Sequence, residues 1–194
     1  MSLDDLAKDG AIVSNRDKYI GVYIGILAVL LAICSMGGNN ATNDANFLNI
    51  QASNTWAFFQ AKNARRQAYK LQADDLELRL ATDASLNEDS RKKITERVAD
   101  YRAQEKKLTS EPEKKEGLDE LFVKGKELER SRDTALARGP YFDYGGALLQ
   151  IAIVLASIAI ISGGSFLLIA SVVIGALGSL ATAGGFTLAF PLPF

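Results

Sequence analysis

The residue types best suited to acid–base chemistry are the adjacent carboxylates Asp74-Asp75 and Glu88-Asp89. On a helix, neighbouring side chains point about 100° apart, so neither pair converges on one substrate atom. No histidine stands near them, because the chain has none. The commonest general base and the commonest metal ligand are therefore missing. The single cysteine, Cys34, lies in an apolar stretch, which excludes an internal disulfide, a dithiol redox pair and a cysteine-based zinc site. Gly145-Gly146 and Gly184-Gly185 lack both the strand–turn–helix setting and the lysine of a phosphate loop. These patterns predict no catalytic residue, no metal ligand and no cofactor-binding residue. The chain reads as a non-enzyme without a cofactor.

The elements that carry these residues are legible from the distribution of charge. The 194 residues hold 22 basic and 23 acidic side chains, so no polyanionic or polycationic partner is implied. The charges are segregated. Residues 19–61 carry one carboxylate, Asp44, and no Lys or Arg, and residues 144–194 carry no charge at all. Residues 62–143 hold 19 basic and 18 acidic residues. A soluble domain spreads its charges over its surface; this pattern belongs to a membrane protein.

Tyr19 to Gly37 reads YIGVYIGILAVLLAICSMG, which is long enough to cross a hydrocarbon core of about 30 Å. Three basic residues, Lys8, Arg16 and Lys18, precede it as in a signal peptide. A lipoprotein cleavage box would require a small residue before Cys34, and Ile33 stands there, so an uncleaved anchor is expected. Tyr144 to Phe190 is 47 uncharged residues, suited to two helices joined at Ser162-Gly163-Gly164-Ser165, with Pro191 and Pro193 after them. The expected layout is a tail at 1–18, spans at 19–37, 144–161 and 166–190, and an extramembrane helical region at 38–143.

Small residues recur along these spans. Gly21 and Gly25 form a small-xxx-small motif whose face continues through Ala28, Ala32 and Ser35. Ser171, Gly175, Gly178 or Ser179, and Thr182 form a similar seam in the third span. Such seams let helix backbones approach closely in lipid. Gln150, the one amide of the second span, is expected to make a packing hydrogen bond, and Asp143 to cap that span's start.

The central region reads as helical. Residues 41–84 contain no Pro or Gly, so one helix of up to about 65 Å is possible there. On a helical wheel Phe47, Leu48, Ile50, Trp56, Phe58 and Phe59 cover nearly every side, which implies burial on several faces, here expected between subunits. Ser85-Leu86-Asn87-Glu88 and Ser110-Glu111-Pro112-Glu113 have the capping-box pattern and predict two further helix starts. Ile94, Val98, Tyr101 and Leu108 keep a heptad-like spacing interrupted by Glu105, and Leu118, Leu121, Phe122, Leu128 and Ala135 recur every three or four residues. The fold class is therefore an all-α membrane protein: three transmembrane helices with an extramembrane antiparallel helical hairpin or coiled coil. Its charges read as solvated faces. No basic patch carries interleaved aromatics, so nucleic acid is not an expected partner.

Ile50 to Lys62, IQASNTWAFFQAK, followed by Arg65, resembles the bacterial membrane-protein family catalogued as domain of unknown function 4337. Leu149 to Ala159, LQIAIVLASIA, is similar to the same family, as is the order of span, W-A-x-x-Q-A-K helix, charged coil and C-terminal hairpin. The resemblance implies this layout and a bacterial origin. It implies no activity.

The residues expected to pack helices or subunits are Gly21, Gly25, Phe47, Trp56, Phe59, Gln150, Gly175 and Thr182. The expected partners are the lipid bilayer and either further copies of the chain or other membrane subunits. The first functional expectation is a structural membrane protein that self-associates through its spans and helical stalk. The alternative is an accessory subunit of a respiratory, photosynthetic or transport complex. A channel or transporter ranks behind both, because Gln150 with a few Ser and Thr makes a thin polar path. Lys and Arg near the spans lie in the N-terminal tail and are absent from the short C-terminal loop. This favours a multi-pass protein of the bacterial inner membrane with a cytoplasmic N-terminus and a periplasmic central region.

Overall fold

The computed structural model describes residues 15–191. Among them every regular element is an α-helix: α1 (Asn15–Thr82), α2 (Glu88–Thr109), α3 (Leu118–Leu136), α4 (Gly139–Ser162) and α5 (Ser165–Thr187). Most of the predicted tail and Pro193 lie outside the described residues. Three helical segments are long and apolar enough to cross a membrane: α1, the α3–α4 stretch Leu118–Ser162, and α5. The chain divides into two compact units, Met1–Asp44 with Thr134–Phe194, and Ala45–Asp133.

α1 does not break at Gly37-Gly38, where the sequence suggests the end of a span. Two adjacent glycines weaken a helix by roughly 2 kcal/mol relative to alanine. Here Gly37 is buried against an aromatic ring: a Cβ added there would come within 2.5 Å of Phe142 Cε1 and 2.9 Å of Phe186 Cζ. The glycine is required by packing rather than by a turn.

A seven-residue register of shielded positions runs along α1. Ile20, Leu27, Cys34, Ala41, Leu48, Thr55, Lys62, Tyr69 and Leu76 occupy one position of it. Ile24, Leu31, Gly38, Ala45, Ala52, Phe59, Arg66, Ala73 and Leu80 occupy the other. Each is buried or half-buried. This is the spacing of a coiled-coil seam. The returning chain keeps the same period, through Leu118, Gly125, Arg132, Gly139, Gly146 and Ile153 and through Leu121, Leu128, Ala135, Phe142, Leu149 and Ala156.

The helix ends differ from the capping-box expectations. Asn87, not Ser85, caps α2, its Oδ1 accepting from the Ser90 amide at 2.8 Å, while Ser85 bonds Asp83. Ser110 starts no helix, and α3 begins at Leu118. Glu120 accepts from the Ser110 hydroxyl at 2.8 Å and from the Glu111 amide at 3.2 Å, fastening the turn instead. α4 begins with Pro140 in its first turn, so Asp143 is already inside the helix and is not its cap. Gly163, at φ +65°, ends α4 in a left-handed conformation that favours glycine.

Candidate functional site

The stretch with the most distinctive sequence, Trp56 to Lys62, builds one packed cluster inside the central unit. Trp56 meets Phe59 and Phe122 edge-to-face, with ring centroids 5.5 and 5.7 Å apart. Its indole N–H donates to Glu129 Oε1 at 2.9 Å. Gly125 is where α3 admits the indole: a Cβ there would stand 2.8 Å from Trp56 Cζ2. Lys126 lies 5.7 Å over the indole ring and donates to Glu129 Oε2 at 2.9 Å. The Lys126 hydrogen bond holds the Glu129 carboxyl below its ordinary pKa; burial opposes this and the Trp56 hydrogen bond adds to it.

One turn on, Lys62 is a buried cation. It donates to the backbone carbonyl of Glu116, lies 3.8 Å from Glu111 Oε2 and sits 5.6 Å over the Phe58 ring. The lysine thus satisfies a carbonyl in the turn between α2 and α3 that has no helical partner. Further along α1, Tyr69 packs on Tyr101 at 5.7 Å. Arg102 bridges Asp74 at 2.6 Å, Glu77 at 2.8 Å and Glu105 at 3.1 Å. Glu105, which interrupts the apolar heptad in sequence, takes up that guanidinium.

The charged groups of this unit therefore hold helices together, and the carboxylates Asp74 and Glu77 are engaged with Arg102. Among the described residues no group of three or more His, Cys, Asp or Glu is placed to hold a metal ion.

Of the residues expected to pack, Trp56 and Phe59 do so against α3 of the same chain. Phe47 does not: it is 61% exposed, with Ile50 at 59% and Phe58 at 46% beside it. In the other unit, Gly175 and Thr182 lie in the α4–α5 contact. A Cβ at Gly175 would meet the Tyr23 hydroxyl at 2.9 Å and Leu27 Cδ2 at 3.1 Å, so α1 closes on the same point. Thr182 Oγ1 donates to Gly178 O at 2.8 Å and faces Gly145. Gly21 and Gly25 have open space where a side chain would be. Gln150 is exposed rather than engaged in the packing hydrogen bond expected of it.

Three polar contacts tie this unit together in its apolar interior. The Cys34 thiol donates to Phe142 O at 3.1 Å. The Tyr23 hydroxyl donates to Ser171 O at 3.0 Å, and the Ser171 hydroxyl to Ala152 O at 2.7 Å. None of these was apparent in the sequence; the signal that could have found Cys34 and its neighbours is the seven-residue spacing Ile20, Leu27, Cys34, Ala41.

The family model described as "Domain of unknown function (DUF4337)" matches residues 16–188. The chain belongs to this family. The match spans α1 and α5 alike, so the clamp at Trp56–Lys62 and the α4–α5 contact both lie inside the DUF4337 domain. No curated protein and no solved structure matches the chain.

Proposed function

We propose that this chain is a structural protein of a membrane, inserted through α1, α4 and α5, which self-associates through its spans and its central helices. The observation that carries this reading is the exposed apolar face of α1 formed by Phe47, Ile50 and Phe58. Trp56 and Phe59, on the same stretch, are covered by α3, so the chain has an intrachain solution for part of this helix and leaves the rest bare. Large aromatic side chains left bare together mark a contact surface.

The central helices form an antiparallel hairpin. Support comes from the order of their contacts: Asn49 with Arg132, Trp56 with Phe122, Lys62 with Glu111, Tyr69 with Tyr101. The location is the inner membrane of a bacterium, with the N-terminus cytoplasmic and the central helices periplasmic. Lys18 and Arg16 at the start of α1 support this, as does the contact of Arg16 with Gly163 O at 2.8 Å, which puts the uncharged α4–α5 turn at the same end as those cations.

The test is the mass of the detergent-solubilised particle, with identification of every chain in it, after an alkaline carbonate wash of the membranes. A washed membrane fraction yielding a particle of several identical chains is the expected result. Release into the wash would refute insertion. A mixed particle would transfer the same surface to the accessory-subunit alternative, and a lone monomer would refute both.

A further inference from the structure

The apolar segment of α4 contains one amide, and it faces away from the chain's own packing. Gln150 is exposed and has no hydrogen-bond partner among the described residues. It lies seven residues beyond Asp143, the last charge, and so about 10 Å deeper along the helix. Beside it a groove of about 420 Å³ separates α1 from α4. Ser35, Gly38 and Asn39 line one wall, and Gly146, Ala147 and Gln150 the other. Cys34 closes the floor, its thiol already bonded to Phe142 O.

This surface is ill suited to lipid. A hydrocarbon chain offers no donor or acceptor to a carboxamide, and polar groups within apolar spans therefore face protein or water. The outward face of α5, with Val172, Val173, Leu177 and Leu180, has no such group and suits lipid. We propose that the α1–α4 groove receives the same groove of a second copy of this chain, about a two-fold axis, with the two Gln150 side chains hydrogen-bonded to each other. The occupant follows from the chemistry. A two-fold contact sets one patch against itself, so each group must complement its own copy. A carboxamide does so, having both a donor and an acceptor, and Asn39 repeats that property. The small residues on both walls allow the close approach that interhelical hydrogen bonds need. Asp143 stands at the mouth, a turn and more above these groups.

The proposal rests on the membrane-assembly reading, and the experiment separates the two. The full chain is reconstituted in phospholipid vesicles as Ala147→Cys and, separately, as Val172→Cys, and oxidised; native Cys34 is buried in both. Subunit number is counted on the wild-type chain in the same vesicles. The expected result is a wild-type oligomer, a covalent dimer from Ala147→Cys and none from Val172→Cys. Gln150→Leu, at an exposed position that leaves the helical circular dichroism unchanged, should weaken association roughly threefold to tenfold, the range for an interhelical amide hydrogen bond in lipid. Gln150→Asn should recover part of it. A monomeric wild type overturns the assembly reading and this interface together. An oligomer whose cross-link forms at Val172 rather than Ala147, or that Gln150→Leu leaves unchanged, overturns the interface alone. So does a phospholipid retained by the wild-type monomer in mass spectrometry and lost from Gln150→Leu, which would make the groove a lipid site.

Discussion

At the residue scale, the indole of Trp56 does three jobs. It fills the space left by Gly125, packs on two phenylalanines and donates to Glu129. Trp56→Ala removes all three and should cost about 3 kcal/mol, the low end for a core tryptophan because the ring is only half-buried. Loss of cooperative unfolding at lower denaturant, followed by circular dichroism, is the measurement. Trp56→Phe keeps a ring and removes only the donor, so it isolates the hydrogen bond. The Glu129 carboxyl is held below its ordinary pKa, by Lys126 first and Trp56 in addition. A depressed folded-state pKa gives stability that is present above the unfolded value and is lost as pH falls through the folded one. Trp56→Phe lessens the depression. Its loss of stability relative to wild type should therefore be visible at neutral pH and shrink as the medium is acidified below the carboxylate range. A difference that grows on acidification would contradict the role given to Glu129.

At the element scale, glycine separates what could be read in the sequence from what could not. Gly175 and Thr182 were legible because a small-residue seam in an apolar helix has one physical use, close approach, and here α4 and α1 provide the approaching surfaces. Gly21 and Gly25 carry the same motif, and nothing in the chain approaches them. Spacing alone does not state which of two equivalent faces a helix will bury. Gly37 was misleading in the other direction: adjacent glycines suggest an end, but the ring of Phe142, more than a hundred residues away in sequence, requires the absence of a side chain there. The capping boxes failed for a related reason. Ser85 and Ser110 each found a carboxylate partner, on Asp83 and Glu120, that served the turn better than a cap. The seven-residue register in α1 was present in the sequence from Ile20 to Leu80 but disguised, because Cys34, Thr55, Lys62 and Arg66 occupy it where leucine would be expected. These readings make a prediction at the level of the helix pair. Gly178→Leu puts a side chain 3.0 Å from Gly145 O and Leu149 Cγ and should destabilise the α4–α5 contact by about 1–3 kcal/mol, as overpacking does. Gly21→Leu fills open space and should leave thermal stability in detergent unchanged or slightly raised, since leucine favours helix. Equal losses from the two would mean that the glycines of α1 are as closely packed as those of α5.

At the scale of the whole molecule, the proposed assembly depends on which parts face which compartment. Three crossings place the α4–α5 turn with the N-terminus and the α1–α2 turn opposite them. Ala84 in the latter turn is exposed and outside both flanking helices, so Ala84→Cys leaves the Asn87 cap in place. Ser165, at the start of α5, is exposed too. A maleimide that cannot cross membranes should label Ala84→Cys in intact cells once the outer envelope admits it, and should label Ser165→Cys only after the inner membrane is opened. Cys34 is buried and serves as the unlabelled background. The opposite pattern would invert the topology and leave the fold as described, because every contact within each unit is indifferent to which side of the membrane it faces. Labelling of both sites in intact cells would be more serious: an odd number of crossings cannot produce it, and one of the three apolar helices would then have to lie on the membrane instead of through it.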